Sequence, residues 1–158
     1  MPAVALDDFF RHEGLEHVYH VAIDTEGWDA LVVEGMRDSL RQRRVSLVEF
    51  EVNNRGMWNR LFSGREARTV NGTLNMLHDA GYACYWVLTR ALVPASGACW
   101  IDAFGGRPAW SNVLCAHEPP VVAALTRMAR EGYAARSSAR ARRAAAATAA
   151  TAGASTGG

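Results

Sequence analysis

The sequence predicts an α/β fold organised around a parallel pair of strands, and three observations carry that expectation. Val18–Ile23 and Val45–Val52 are two apolar stretches of strand length and character. Between them Trp28, Leu31, Val32, Met36 and Leu40 recur at intervals of three and four residues, the stripe of a helix. The connections are only a few residues long, so strand, helix and strand form a βαβ unit with its two strands parallel. A chain of 158 residues holds one domain of this kind, and its 49% hydrophobic content is enough for a modest core.

Each element follows from local chemistry. Leu6 with Asp7 or Asp8 as a cap opens a short helix that buries Phe9, Phe10 and Leu15, and Gly14 ends it. Val18–Ile23 has little polar interruption, as expected of a strand covered on both faces, and stops at Asp24-Thr25-Glu26-Gly27. The helix over 28–42 leads to Val45–Val52, where Val48, Phe50 and Val52 share one face and Glu49 and Glu51 the other. Residues 53–70, with Asn53, Asn54, Trp58, Arg60, Arg65 and Arg68, read as irregular. A helix over 73–80 ends at Gly81, and residues 82–88 and 111–116 are further strands. Between those strands lies an excursion holding Trp100, Gly105-Gly106 and Pro108, and a final helix spans 121–132. Residues 134–158 are Ala-rich with almost nothing large to bury, so they read as a disordered tail behind a domain over 1–133.

Composition excludes several classes. Every one of the 17 basic residues is Arg, and four lie in the tail, so residues 1–133 carry 13 basic against 16 acidic groups. A mildly acidic body argues against a nucleic-acid surface. No apolar run reaches the roughly 18 to 20 residues of a membrane span. The N-terminus lacks a basic region and meets Asp7 and Asp8 too early for a signal peptide, which points to a cytoplasmic location. Cys84, Cys99 and Cys115 are odd in number with no C-x-x-C, so they read as small core residues and not as a disulfide framework or a metal site. The Asn71-Gly72-Thr73 sequon reads as a turn before a helix.

Open parallel sheets bind ligands beyond the carboxyl ends of their strands. Asp24, Thr25 and Glu26 leave the first strand there, and Asn53 and Asn54 leave the second. Asp24 or Glu26 serves either as a helix cap or as a ligand-binding or catalytic carboxylate. Glu49 and Glu51 in a covered strand are costly unless hydrogen-bonded or facing a solvent-filled cleft, so with Asp24 and Glu26 they form a candidate acidic pocket. His20, roughly 13 Å along the strand from Asp24, is a packed or edge histidine. No phosphate-binding Gly-Lys-Ser loop and no Gly-x-Gly-x-x-Gly turn is present.

Four runs together carry a family resemblance. They are Ala5-Leu6-Asp7-Asp8-Phe9-Phe10, Val21-Ala22-Ile23-Asp24-Thr25-Glu26-Gly27-Trp28-Asp29, Leu31-Val32-Val33-Glu34-Gly35-Met36 and Val48-Glu49-Phe50-Glu51. They resemble the carboxyl half of the FkbM-type methyltransferases, and 81–86 and 110–115 are similar to the late strands of that domain. The resemblance implies the carboxyl half of a doubly wound Rossmann-like methyltransferase sheet, with an antiparallel last strand. It implies S-adenosylmethionine as cofactor and O-methylation of a sugar or related small hydroxyl-bearing metabolite. By the same resemblance Asp24, Glu26 and Glu49 are the catalytic candidates and Asp24, Thr25 and Trp28 the cofactor-binding ones. Ala22 stands where the family usually has lysine.

The first three strands of the family's sheet, with their glycine-rich cofactor turn, have no counterpart, so the expected product is truncated and binds S-adenosylmethionine poorly alone. The alternative expectation is a noncatalytic half-domain that self-associates, or meets a missing amino half, through an open sheet edge. A hydrolase using paired carboxylates fits less well, for want of a nucleophile or a histidine partner.

Overall fold

The computed structural model describes residues 3–59, 68–103 and 110–154. Arg60, Arg65, Gly105-Gly106 and Pro108 lie outside the described residues. The chain runs through α1 (Leu6–His12), β1 (Val18–Ile23), α2 (Asp29–Glu34), α3 (Arg37–Arg41), β2 (Val45–Val52), a 3-10 turn (Gly56–Trp58), α4 (Val70–Asp79), β3 (Ala83–Leu88), β4 (Ala91–Pro94), a second 3-10 turn (Gly97–Cys99), β5 (Ser111–Ala116) and α5 (Pro119–Ala154). These strands form one mixed sheet in the order β1-β2-β5-β3-β4. Strands β1 and β2 are parallel, with Val21 opposite Val48 and Ile23 opposite Phe50. The last strand, β5, enters antiparallel between β2 and β3. The result is a mixed α/β sheet consistent with part of a Rossmann-like fold.

Two cores follow from the alternation of side chains. On one face Ile23, Val48, Phe50, Val52, Val113 and Trp86 pack with Ala30, Val33, Met36, Leu40, Leu74 and Leu77 from α2, α3 and α4 and the turn between the first two. On the other, Tyr85, Leu92 and Ala116 meet Leu125 and Ala129 of α5. Helix α5 thus covers the β5-β3-β4 side. Strand β1, expected to be covered on both faces, is instead an edge strand: Tyr19 is 66% exposed, and His20 and Ala22 are also exposed.

The structure corrects other expectations. The helix expected over 28–42 breaks at Gly35 and Met36 into α2 and α3. The break is held by Asp7 of α1, whose carboxylate accepts hydrogen bonds from the Asp38 and Ser39 amides, both at 2.9 Å. Asp7 acts as a cap supplied from another helix. The excursion after β3 contains the short strand β4, hidden in the sequence by its length and its Pro94. Cys84 and Cys115, expected as free core residues, are joined in a disulfide between directly opposed positions of β3 and β5.

Helix α5 does not stop at Gly132, where a Cβ would lie 2.9 Å from that of Ala91, so the glycine permits close crossing over β4. From there the helix runs on to Ala154, consistent with the high helix propensity of Ala and Arg. Arg136, Arg140, Arg142 and Arg143 are exposed along it. Among the described residues no helix is long and apolar enough to cross a membrane.

Candidate functional site

The loop between β1 and α2 is built around one buried carboxylate. Asp29 is fully buried at the start of α2. Its Oδ2 accepts from the Thr25 hydroxyl at 3.0 Å and the Gly27 amide at 3.2 Å, and its Oδ1 accepts from the Glu51 amide of β2 at 3.1 Å. Three donors satisfy the charge and tie the loop to the neighbouring strand. The loop is tightened further by left-handed backbone at Glu26 (φ 54°) and Gly27 (φ 99°). The Gly27 carbonyl accepts the Met57 amide at 2.8 Å, and a Cβ on Gly27 would lie 2.5 Å from the Arg55 carbonyl oxygen. Glycine is required here because two backbone segments touch.

A second layer joins the loop after β2 to the residue preceding β5. Arg55 Nη1 donates to Glu26 Oε2 at 2.8 Å, and the guanidinium lies 5.4 Å from the centre of the Trp110 ring. Trp110 Nε1 donates to Glu51 Oε1, while Glu51 Oε2 accepts from Asn53 Nδ2 at 2.6 Å. The Asn53 amide oxygen in turn accepts the Arg55 backbone N–H at 2.9 Å. Glu51 is buried but satisfied, which removes the cost expected of a carboxylate in a strand. Glu49 belongs to a neighbouring group on the half-open face: its Oε1 accepts from Asn112 Nδ2 at 2.8 Å, and its Oε2 lies 3.7 Å from His20 Nε2.

The candidate residues therefore separate. Asp24 is exposed at the end of β1 and makes no side-chain hydrogen bond among those described. Thr25 is engaged by Asp29, Glu26 by Arg55, and Trp28 is 46% exposed at the first position before α2. Neither Asp24 nor Glu26 caps α2; Asp29 holds the turn instead. Among the described residues the hydrogen bonds of these acids fall into two groups, one running from Glu26 through Arg55 and Trp110 to Glu51 and one around Glu49. Sequence reasoning missed Asp29, Arg55, Trp110 and Asn112. Asp29 carried a signal, an acid in the first helical turn just after Gly27, whereas the Arg55–Trp110 stack spans 55 positions that no local pattern connects.

The described residues do not by themselves fit a complete pocket for S-adenosylmethionine. The close backbone approach that a glycine permits is already used, with the Arg55 carbonyl packed on Gly27. A cavity of about 490 Å³ lies elsewhere, between α3 and α4, lined by Arg37, Leu40, Arg41, Asn75, Met76 and Asp79. Among the described residues no group of three or more His, Cys, Asp or Glu is placed to hold a metal.

In comparison with known proteins, residues 1–84, just over half of the chain, match the family model described as methyltransferase FkbM domain. That span includes β1, α2, α3 and β2 with the Asp29-centred loop. No curated protein and no solved structure matches the chain.

Proposed function

We propose, from the premise that the chain belongs to the methyltransferase FkbM domain family, that it serves O-methylation and presents the acceptor side of the site at the carboxyl ends of β1 and β2. One observation carries this reading. Of the acidic groups at that end, Glu26, Asp29 and Glu51 are engaged by Arg55, by backbone amides or by Asn53 and Trp110, while Asp24 is exposed and unengaged among the described residues.

Asp24 receives the proton of the attacking hydroxyl and orients its oxygen lone pair away from the strand end. Glu26 holds Arg55, and Glu49 with Asn112 offers further hydrogen bonds on the half-open face. The acceptor is a small hydroxyl-bearing metabolite of the sugar type, which a cluster of carboxylate and amide groups suits through directional hydrogen bonds. S-adenosylmethionine is the methyl donor implied by family membership; in this reading the chain contributes acceptor alignment and proton removal.

Two measurements test the reading. Calorimetric titration of the chain with S-adenosylmethionine is expected to show no binding tighter than about 1 mM, or roughly −4 kcal/mol. Micromolar affinity would contradict an acceptor-side role alone. In a relative that carries the whole domain, the Asp24→Asn change at the matching position is expected to lower transfer to hydroxyl groups by about a hundredfold or more while changing cofactor affinity far less. Unchanged transfer in that variant would remove Asp24 from the chemistry.

A further inference from the structure

The three cysteines form an arrangement that the methyltransferase reading does not use. Cys84 and Cys115 are 1% and 0% exposed and disulfide-bonded, while Cys99 is a free, exposed thiol in the 3-10 turn after β4. Backbone hydrogen bonds order them in space. The Cys84 carbonyl accepts the Ala95 amide at 2.8 Å, and its N–H donates to Ser96 Oγ at 3.0 Å. Both polar groups of Cys84 therefore turn toward the segment carrying Cys99, leaving Cys84 and Cys115 as a non-hydrogen-bonded pair, the kind whose side chains approach most closely.

Strand β5 with Cys115 lies on one side of Cys84 and residues 95–99 on the other. The Cys99 amide donates to the Ser96 carbonyl at 3.2 Å, which closes the turn. A cavity of about 310 Å³ is lined by His78, Tyr82, Cys84, Ser96 and Cys99, among others, and Cys115 does not line it. The His78 ring packs against Gly97 and fixes the turn that presents Cys99.

We propose that Cys99, Cys84 and Cys115 form an internal thiol–disulfide exchange site, in which Cys99 attacks Cys84 through this cavity and displaces Cys115. The order of the segments suits the in-line approach that exchange requires, with the attacking sulfur opposite the leaving one. Cys99 loses its proton to solvent, the Cys99–Cys84 bond forms as the Cys84–Cys115 bond breaks, and the released Cys115 thiolate takes up a proton. One disulfide and one thiol are present before and after, so no external oxidant or reductant is consumed. The exchange moves the staple from β3–β5 to β3 and the turn, and exchanges an exposed thiol for a buried one.

Unfolding of the protein in mildly acidic urea containing excess N-ethylmaleimide, which stops exchange and labels buried and exposed thiols alike, followed by nonreducing chymotryptic digestion and mass spectrometry, tests this. Trp100 and Trp110 lie between Cys99 and Cys115, so cleavage there separates the two. The wild type is expected to yield a Cys84–Cys99 peptide together with labelled Cys115. Cys99→Ser, a change in an exposed turn, is expected to lose both and to retain only Cys84–Cys115. Label confined to Cys99 in the wild type, label on all three cysteines, or equal labelling of Cys115 in Cys99→Ser would each overturn the proposal.

Discussion

Asp29 sets the conformation of the β1–α2 loop more than any of the exposed acids around it. Its carboxylate accepts from one hydroxyl and two backbone amides in a fully buried position, so removing it strands the Gly27 and Glu51 N–H groups away from water. Each buried donor left without a partner costs about 1 to 3 kcal/mol, and Asp29→Ala is therefore expected to destabilise the protein by about 3 kcal/mol. A loss of under about 1 kcal/mol in the free energy of urea unfolding would show that the loop re-forms without it. The Glu26–Arg55 pair contrasts with this: both side chains are more than half exposed, and such pairs contribute little to stability. Its effect is positional, holding Arg55 over Trp110. The carboxylate that shapes the loop and the one proposed to act in it are thus different residues. Position after a strand marked the general place in the sequence, but only burial and donor geometry separate the two roles.

Among elements, the joint where β5 enters α5 has its own acid–base behaviour. The Tyr82 ring meets the His117 ring edge-on at 5.1 Å, and the Tyr82 hydroxyl donates to the Val45 carbonyl. Burial lowers the His117 pKa below its ordinary 6.5, with Arg43 and His17 acting in the same direction and Glu118 and an Arg43 backbone hydrogen bond opposing. Burial pushes Tyr82 up to about 12, with Arg43 opposing. A histidine held neutral contributes stability above pH 6.5 that is lost as pH falls through its depressed folded pKa. A tyrosine held protonated contributes stability below pH 10.0 that is lost as pH rises toward about 12. Urea unfolding across pH is expected to show both limbs; Tyr82→Phe should abolish the alkaline one and lower the plateau by about 1 kcal/mol. An alkaline limb that survives in Tyr82→Phe would assign it to another group. Neither partner was legible as a pair from sequence, because 35 positions separate them. By contrast the βαβ unit was legible, since strand, stripe and strand are local patterns. The break at Gly35 was not, because it depends on Asp7 arriving from α1, and β4 is too short and too close to Pro94 to carry a periodic signal.

At the scale of the molecule, the two edges of the sheet differ. Strand β4 is four residues long, ends at Pro94 and is crossed by α5 at Gly132, so it offers little to a second strand. Strand β1 is six residues long, contains no Pro or Lys, and leaves Tyr19, His20 and Ala22 exposed. Its outer side is unpaired among the described strands, and an uncovered edge of this kind is a template for strand addition. A second copy supplies the same edge, and two such edges related by a two-fold axis close on each other without propagating. We expect light scattering to give a dimer of the 17.2 kDa chain, and Ala22→Lys, which places charge on that edge, to return it to monomer. The long helix supplies the control. Arg136, Arg140, Arg142 and Arg143 have no acidic neighbours after Glu131, so a chain ending at residue 133 changes from a formal +1 to 13 basic against 16 acidic groups. If the edge joins the copies, that deletion leaves the dimer intact. If deletion alone yields monomer, the basic helix joins them instead, and a wild-type monomer at every concentration would show that β1 is not used for pairing.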